Sequence, residues 1–293
     1  MNEASRYLQA IAKRMAAAYA SHSSPRAILL TGSAAAGESD SYSDVDLVCY
    51  YDARPSEATR TAAREQVARR FGACQPARRH SYGGDWYAVH GVQCEVGHLV
   101  IGNWERDLAK VLDAHDPDPL LQKAVSGLLR GVPLHGEALI RGWQARAAAY
   151  PERLARAMVE RHLRFLPVWR TPGYFAARDA TLYFHQSLAE ACLNVLGVLA
   201  GLNRQYYSTF QFKRMRTFIG TLHLAPPDLA DRIERVIADA VARPDAAAQG
   251  VEALVTDTLA LVEAHLPEVD TSSVRGDLGN RVEPWQLGSR NAP

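Results

Sequence analysis

The stretch that decides the fold is residues 26 to 52, which read RAILLTGSAAAGESDSYSDVDLVCYYD. One apolar run, 27–30, is followed by Gly32 and Ser33, and a second apolar run covers 45–51. Apolar runs of this length, bounded by glycine, serine and aspartate, are typical of buried strands. The pattern therefore predicts two strands joined by a loop of small residues.

Two acidic residues stand where the second run begins. Asp44 and Asp46 are separated by Val45. Because alternate residues of a strand share a face, both carboxylates are expected to point the same way while Val45 faces the core. Neighbouring carboxylates repel each other and stay ionised when cations lie between them. An oxygen-only pair favours a hard cation, Mg²⁺ above all, which takes its other ligands from water and substrate phosphates.

The Gly-Ser pair after the first strand suits a phosphate. Gly32 allows the backbone to come close to a ligand. Ser33 offers a hydroxyl and an N–H group at the start of a predicted helical turn over 34–36, and anions bind well at such starts. We therefore expect a phosphate-binding loop beside a metal-binding strand.

The combined pattern resembles that of a known family. The Gly-Ser pair, a loop of ten residues and Asp44-x-Asp46 within 42–47 resemble the signature of the polymerase β-like nucleotidyltransferases. The resemblance is strongest to the antibiotic (aminoglycoside- and lincosamide-type) and minimal nucleotidyltransferases. That family carries a third acidic residue on a later strand, and Glu95 within 92–96 stands at the matching place.

The resemblance implies an α+β fold: an N-terminal nucleotidyltransferase domain with a mixed β-sheet flanked by helices, then a C-terminal α-helical bundle. We place the catalytic domain at 1–150 and the helical domain, with acceptor and nucleotide contacts, at 151–266. A polar, Gly- and Pro-containing stretch over 267–293 is predicted to be a mobile or surface-draped tail. Helices of the second domain are predicted at 152–169, 173–201, 211–223, 227–242 and 246–265.

The resemblance also implies a reaction, the magnesium-dependent transfer of a nucleoside monophosphate from a nucleoside triphosphate to a hydroxyl. ATP is the expected donor, so the enzyme would be an adenylyltransferase. Asp44 and Asp46 would bind Mg²⁺, with two ions expected. Glu95 would either ligate the second ion or accept the proton of the attacking hydroxyl. Three residues of the loop region would contact the nucleotide: Gly32, Ser33 and Ser43.

The sequence leaves the acceptor open. A small hydroxylated molecule such as an antibiotic is the leading hypothesis. A protein hydroxyl, as in AMPylating nucleotidyltransferases of toxin–antitoxin systems, is an alternative, and a nucleotide-binding regulatory module with little turnover is another. The net charge of +1 disfavours extension of nucleic acids, because it provides no broad cationic surface.

Two residues of the helical half are candidate nucleotide contacts. Lys213 could neutralise charge on the β- and γ-phosphates, and Tyr207 could offer a ring to the base. A basic loop that merely caps the helical bundle explains the same residues equally well.

Composition indicates the number of domains, the state of the cysteines and the compartment. A chain of 293 residues with 47% hydrophobic residues can bury two cores. Three of the four cysteines, Cys49, Cys94 and Cys192, lie in apolar runs without a CxxC pair, which predicts buried free thiols in a reducing compartment. No apolar leader or membrane-length segment is present, so we expect a cytoplasmic protein without membrane contact. The oligomeric state is left open.

Overall fold

The computed structural model describes residues 1–72, 75–77 and 84–283. The chain divides into two compact units, Met1–Tyr150 and Pro151–Pro293. Each is described by itself.

The first unit is built on a six-stranded sheet. The strands are β1 (Ala27–Thr31), β2 (Val45–Tyr51), β3 (Gln75–Ala77), β4 (Asp85–Val89), β5 (Val92–Val100) and β6 (Val132–His135). Their order is β3-β4-β5-β2-β1-β6. The β2–β5 pair is parallel and the other pairs are antiparallel. The predicted mixed sheet is therefore confirmed. The turn residues 83–85 and the alternating pattern after them also predict a hairpin whose first strand covers 78–82, and this strand falls outside the described residues.

Six helices accompany this sheet: α1 (Glu3–Ser23), α2 (Gly32–Ala36), α3 (Glu57–Phe71), α4 (Ile101–Leu112), α5 (Pro119–Arg130) and α6 (Glu137–Ala148). Polar side chains cap three of them by accepting backbone N–H groups of the first turn. Asn2 accepts from Ser5, and Ser56 accepts from Thr59. Asp118 accepts from the first turn of α5, where Pro119 has no N–H group and needs no acceptor.

The two faces of the sheet pack differently. Alternate residues of β2, from Val45 to Tyr51, join a buried core with residues of α1 and α3 such as Met15 and Val67. Burial of each such aliphatic side chain contributes about 1.5–3 kcal/mol. On the other face, Tyr50 packs against Trp104 of α4 and Trp143 of α6, with ring centroids 5.9 and 4.9 Å apart. Asp46 belongs to this second face.

A buried polar network ties the sheet to α1 and α3. The side chain of Asp85 is 1% exposed. Its Oδ2 accepts from Tyr19 Oη at 2.7 Å and from His98 Nε2 at 2.8 Å, and its Oδ1 accepts from Arg64 at 2.8 Å. Burial acts most strongly on the pKa of Asp85 and raises it, but His98, Tyr19 and Arg64 together hold this pKa below its usual value. His98 lies three residues beyond Glu95 on β5 and therefore on the opposite face, as the period of two in a strand predicts.

The second unit is helical, as predicted. It contains α7 (Glu152–His162), α8 (Pro172–Ala177), α9 (Thr181–Leu202), α10 (Met215–Ile219), α11 (Leu229–Ala242), α12 (Pro244–His265) and α13 (Ser272–Asp277). Two 3₁₀ helices, Val168–Arg170 and Thr209–Arg214, complete it. Three predicted helices prove shorter or divided. The first ends at His162, ahead of Pro167. The second is interrupted where Asp179 takes a φ of +51°. The third begins as a 3₁₀ helix and ends before Gly220.

The described part of the predicted tail packs on this helical unit. The indole N–H of Trp169 donates to the backbone carbonyl of Asp277 at 2.9 Å. Arg170 pairs with the Asp277 carboxylate at 2.6 Å, and Arg281 pairs with Glu252 at 2.7 Å. The described residues of this stretch, up to 283, therefore contact the helical unit, and its assignment as a tail stays a prediction.

Two whole-chain expectations concern cysteines and membrane spans. Cys49, Cys94 and Cys192 are buried and free, as predicted, and burial raises the pKa of the Cys49 and Cys192 thiols to about 12. Cys74 lies outside the described residues. Within the part of the chain that the structure describes, no helix combines the length and apolar character needed to span a membrane.

Candidate active site

Four residues lie in register across four neighbouring strands. Thr31 of β1 pairs with Asp46 of β2, Asp46 pairs with Glu95 of β5, and Glu95 pairs with Trp86 of β4. Side chains of directly paired residues share a face of the sheet. This row therefore lies on the face away from α1 and α3.

Glu95 is a direct cross-strand partner of Asp46. Neighbouring strands lie about 4.8 Å apart, so the two carboxylates start from adjacent positions on one face. Both residues are half-buried. Val45 and Leu47, on either side of Asp46, are 0% and 2% exposed and face the core. The predicted alternation around Asp46 is thus present. The register of the β2–β5 pair places Glu95 beside Asp46.

Asp44 lies directly before β2 and is half-buried. The described residues contain no group of three acidic, histidine or cysteine side chains gathered closely enough to hold a metal ion. The structure therefore pairs Asp46 with Glu95 but does not gather Asp44 with them into one cluster, and the three-carboxylate metal site stays a prediction. Asp46 and Glu95 offer only oxygen atoms as ligands. Such ligands fit a hard cation that takes further ligands from phosphate and water.

Position 32 requires a glycine because its backbone lies against the Asp46 side chain. Its φ is +69°, in the left-handed region that favours glycine. A Cβ atom built on Gly32 would overlap Oδ2 of Asp46. From the sequence we expected Gly32 to allow a ligand close to the backbone. The structure shows that the close neighbour is the carboxylate of the proposed metal-binding residue.

Ser33 lies in the first turn of the short helix α2. Its carbonyl accepts the N–H of Glu38 at 3.0 Å, and its hydroxyl accepts from Ser39 Oγ at 3.4 Å. Ser43 stands in the turn that leads into β2: its hydroxyl accepts the N–H of Asp40 at 2.9 Å and donates to the Asp40 carboxylate at 3.2 Å. Both hydroxyls thus shape the loop between β1 and β2. Their contacts with a nucleotide remain predictions.

Helix α5 packs against the β1 end of the row. Thr31 Oγ1 donates to the backbone carbonyl of Gly127 at 3.2 Å. A Cβ atom on Gly127 would lie 2.8 Å from Thr31 Oγ1, so glycine permits this approach. Sequence reasoning missed Thr31 and Trp86, because their membership in the row depends on strand register. Gly127, a glycine inside helix α5, was the one available sign of close packing.

Tyr207 belongs to the core of the helical unit. It is 2% exposed, and its hydroxyl donates to the backbone carbonyl of Leu193 at 2.6 Å. Its ring packs against His162, Phe212 and Phe218, with centroids 5.1, 5.6 and 6.4 Å away. The structure therefore places the Tyr207 ring among these side chains, and its contact with a base stays a prediction.

Lys213 lies in the 3₁₀ helix Thr209–Arg214 and is exposed. This position does not test the predicted contact of Lys213 with phosphates, and the contact remains a prediction.

Comparison with known proteins agrees with the site's position. Residues 12–79 match a family model described as a nucleotidyltransferase domain, and this range contains β1, α2 and β2. The N-terminal unit carries a nucleotidyltransferase domain. A solved structure of a nucleotidyltransferase-like protein from Exiguobacterium sibiricum 255-15 is similar at 13% identity and a TM-score of 0.39, covering 87% of this chain and 78% of that one. No curated protein matches the chain.

The nucleotidyltransferase domain supports an enzyme that transfers nucleotidyl groups from a nucleoside triphosphate. The matched range ends before Glu95. The pairing of Glu95 with Asp46 is therefore information that the structure adds to the domain match.

Proposed function

We propose that the protein transfers a nucleoside monophosphate from a nucleoside triphosphate, ATP as the expected donor, to a hydroxyl of a small molecule. The observation that carries this proposal is the direct pairing of Asp46 with Glu95 beside Gly32, at one end of β1. It joins the acidic pair to the loop that the nucleotidyltransferase domain provides.

In the proposed reaction, the acceptor oxygen attacks the α-phosphorus and a new O–P bond forms. The bond between the α-phosphorus and the oxygen bridging to the β-phosphorus breaks, and pyrophosphate leaves with the electron pair. Glu95 accepts the proton of the attacking hydroxyl or serves as a ligand to a cation. Mg²⁺, held by Asp46 with Asp44 and Glu95, would neutralise phosphate charge and orient the donor.

We propose further roles for the other predicted site residues. Ser33, in the first turn of α2, is proposed to hold a β- or γ-phosphate oxygen through its N–H and hydroxyl. Gly32 keeps the backbone clear of the Asp46 carboxylate. Lys213 is proposed to offset charge on the leaving pyrophosphate. Most of the rate gain is expected from positioning and electrostatic stabilisation.

The test is a transfer assay with α-³²P-labelled nucleoside triphosphates, Mg²⁺, and a pool of hydroxylated antibiotics and metabolites beside a separate cell lysate. We expect the wild-type protein to label a small molecule, and Asp46→Asn to abolish labelling. Asp52→Asn is the matched control, because Asp52 follows β2 directly but is exposed and pairs with Arg26. Label on protein alone would contradict the small-molecule acceptor. Equal labelling by Asp46→Asn and wild type would contradict the site.

Glu95→Gln tests the role of Glu95 separately. We expect the rate of transfer to fall by roughly 100-fold or more, as for loss of a general base, while affinity for the triphosphate changes little. An equal loss of rate and affinity would show that Glu95 serves nucleotide binding only.

A further inference from the structure

Trp86 lies on the far side of Glu95 from Asp46. It is the direct cross-strand partner of Glu95 in the antiparallel β4–β5 pair. Cβ atoms of such partners lie about 4.5–5.5 Å apart, so the indole starts beside the Glu95 carboxylate. Trp86 is half-buried.

Among the described residues, the sheet face around Trp86 carries exposed side chains. Towards β1, the same face is covered: Leu29 and Tyr50 are each 2% exposed. Towards β4 it is not, because Ala88 and Gln93 are exposed and Leu99 is 39% exposed. These residues alternate with the core residues of β4 and β5 and so share the face of Trp86 and Glu95. A molecule can therefore approach Glu95 from this side.

The order of the row determines which substrate meets Trp86. Across the sheet, the residues run from Gly32 and Ser33 at the end of β1, through Asp46 and Glu95, to Trp86. In phosphoryl transfer the attacking and leaving oxygens lie roughly in line with the phosphorus. If the leaving pyrophosphate lies over the Gly32–Ser33 end, the attacking hydroxyl arrives from the side of Glu95 and Trp86.

We propose that Trp86 is a specificity-determining residue of the acceptor subsite, where its indole packs against a ring face of the acceptor and directs the ring hydroxyl to Glu95. This rests on the proposed function. The acceptor class is a hydroxylated ring compound that presents a face of C–H groups. Tryptophan suits this contact because it supplies a large rigid surface at low cost in conformational entropy.

The experiment compares Trp86→Ala and Trp86→Phe with wild type on the acceptor that the wild type labels from the pool with α-³²P-ATP. We expect the KM for this acceptor to rise roughly 10- to 100-fold in Trp86→Ala, the range of lost aromatic stacking. Trp86→Phe keeps a ring and should recover part of the loss, and it also serves if the alanine variant fails to fold. The KM for ATP and the rate of ATP hydrolysis by water should stay within about twofold of wild type.

The matched control is Tyr7→Ala, because Tyr7 is an aromatic residue, 51% exposed, on α1 at the other side of the sheet. It should leave every parameter unchanged. An unchanged acceptor KM in both Trp86 variants would overturn the inference, and so would a rise in the KM for ATP alone, which would assign Trp86 to the nucleotide. If the wild type labels no small molecule, the proposed function fails and the inference fails with it.

Discussion

Replacement of Gly32 by alanine tests the relation between the loop after β1 and the acidic pair. Two separate conditions exclude a side chain here: the φ of +69° and the overlap of a Cβ atom with Oδ2 of Asp46. The first is a cost to the backbone. The second moves a carboxylate proposed to bind the metal.

The first condition lowers the stability of the fold, and the second lowers the rate of transfer. An alanine held at positive φ costs roughly 1–2 kcal/mol of folding free energy. The overlap must be relieved by shifting either Asp46 or the α2 backbone, since the overlapping atom ends a short side chain. A displacement of about 1 Å at a reacting group lowers rate by about 100-fold. We therefore expect Gly32→Ala to lose about 1–2 kcal/mol of stability but about 100-fold in transfer rate.

The assay measures urea unfolding and labelled-nucleotide transfer in parallel. Gly91→Ala is the matched control: Gly91, in the turn between β4 and β5, has a φ of +80°, but an added Cβ would meet nothing within 4 Å. It should lose a similar amount of stability and keep transfer near the wild-type rate. If Gly32→Ala transfers at the same rate as Gly91→Ala while fully folded, the contact between Gly32 and Asp46 has no role in activity and our reasoning is refuted.

Two further predictions concern buried polar groups. Asp85→Asn should destabilise the first unit by about 3 kcal/mol in urea unfolding at pH 7, because it removes the buried charged acceptor that Tyr19, His98 and Arg64 share. Since the folded state lowers the pKa of Asp85, its contribution is present above the unfolded pKa of about 3.9 and is lost as pH falls through the folded pKa. A variant as stable as wild type at pH 7 would contradict this. His162 is 9% exposed and its Nδ1 bonds Asn194 Oδ1 at 3.0 Å. Burial lowers its pKa, so stability should fall as pH drops below about 6.5, where only the unfolded chain gains the proton. Unfolding midpoints at pH 5 and 8 should show this loss in wild type and a smaller one in His162→Leu, whereas equal losses would exclude His162 as the cause.

The sequence was sufficient for features that depend on local pattern. Apolar runs and their flanking residues located β1 and β2. Alternation around Val45 gave the correct face for Asp46 because period-two burial is a property of the strand itself. These predictions needed no information about distant residues.

Features that depend on pairing between distant segments could not be predicted from the local sequence pattern. The register that places Trp86 beside Glu95 is set by the β4–β5 hairpin, and the sequence alone did not single out Trp86. Tyr207 looked available because it follows a helix end, yet packing against His162 and Phe218 buries it. Burial in a helical unit is decided by which faces meet, which a single aromatic residue does not reveal.

The buried network and the acidic pair are linked by strand register. Asp85 and Trp86 are neighbours on β4 and point to opposite faces, and His98 faces opposite to Glu95 on β5. A slip of β5 by one residue would exchange its faces. It would then turn Glu95 into the core and separate His98 from Asp85, leaving a buried charge without a main partner. The stability that the Asp85–His98 pair contributes is therefore specific to the register in which Glu95 stands beside Asp46. A network that never contacts substrate thus selects the arrangement on which the proposed chemistry depends.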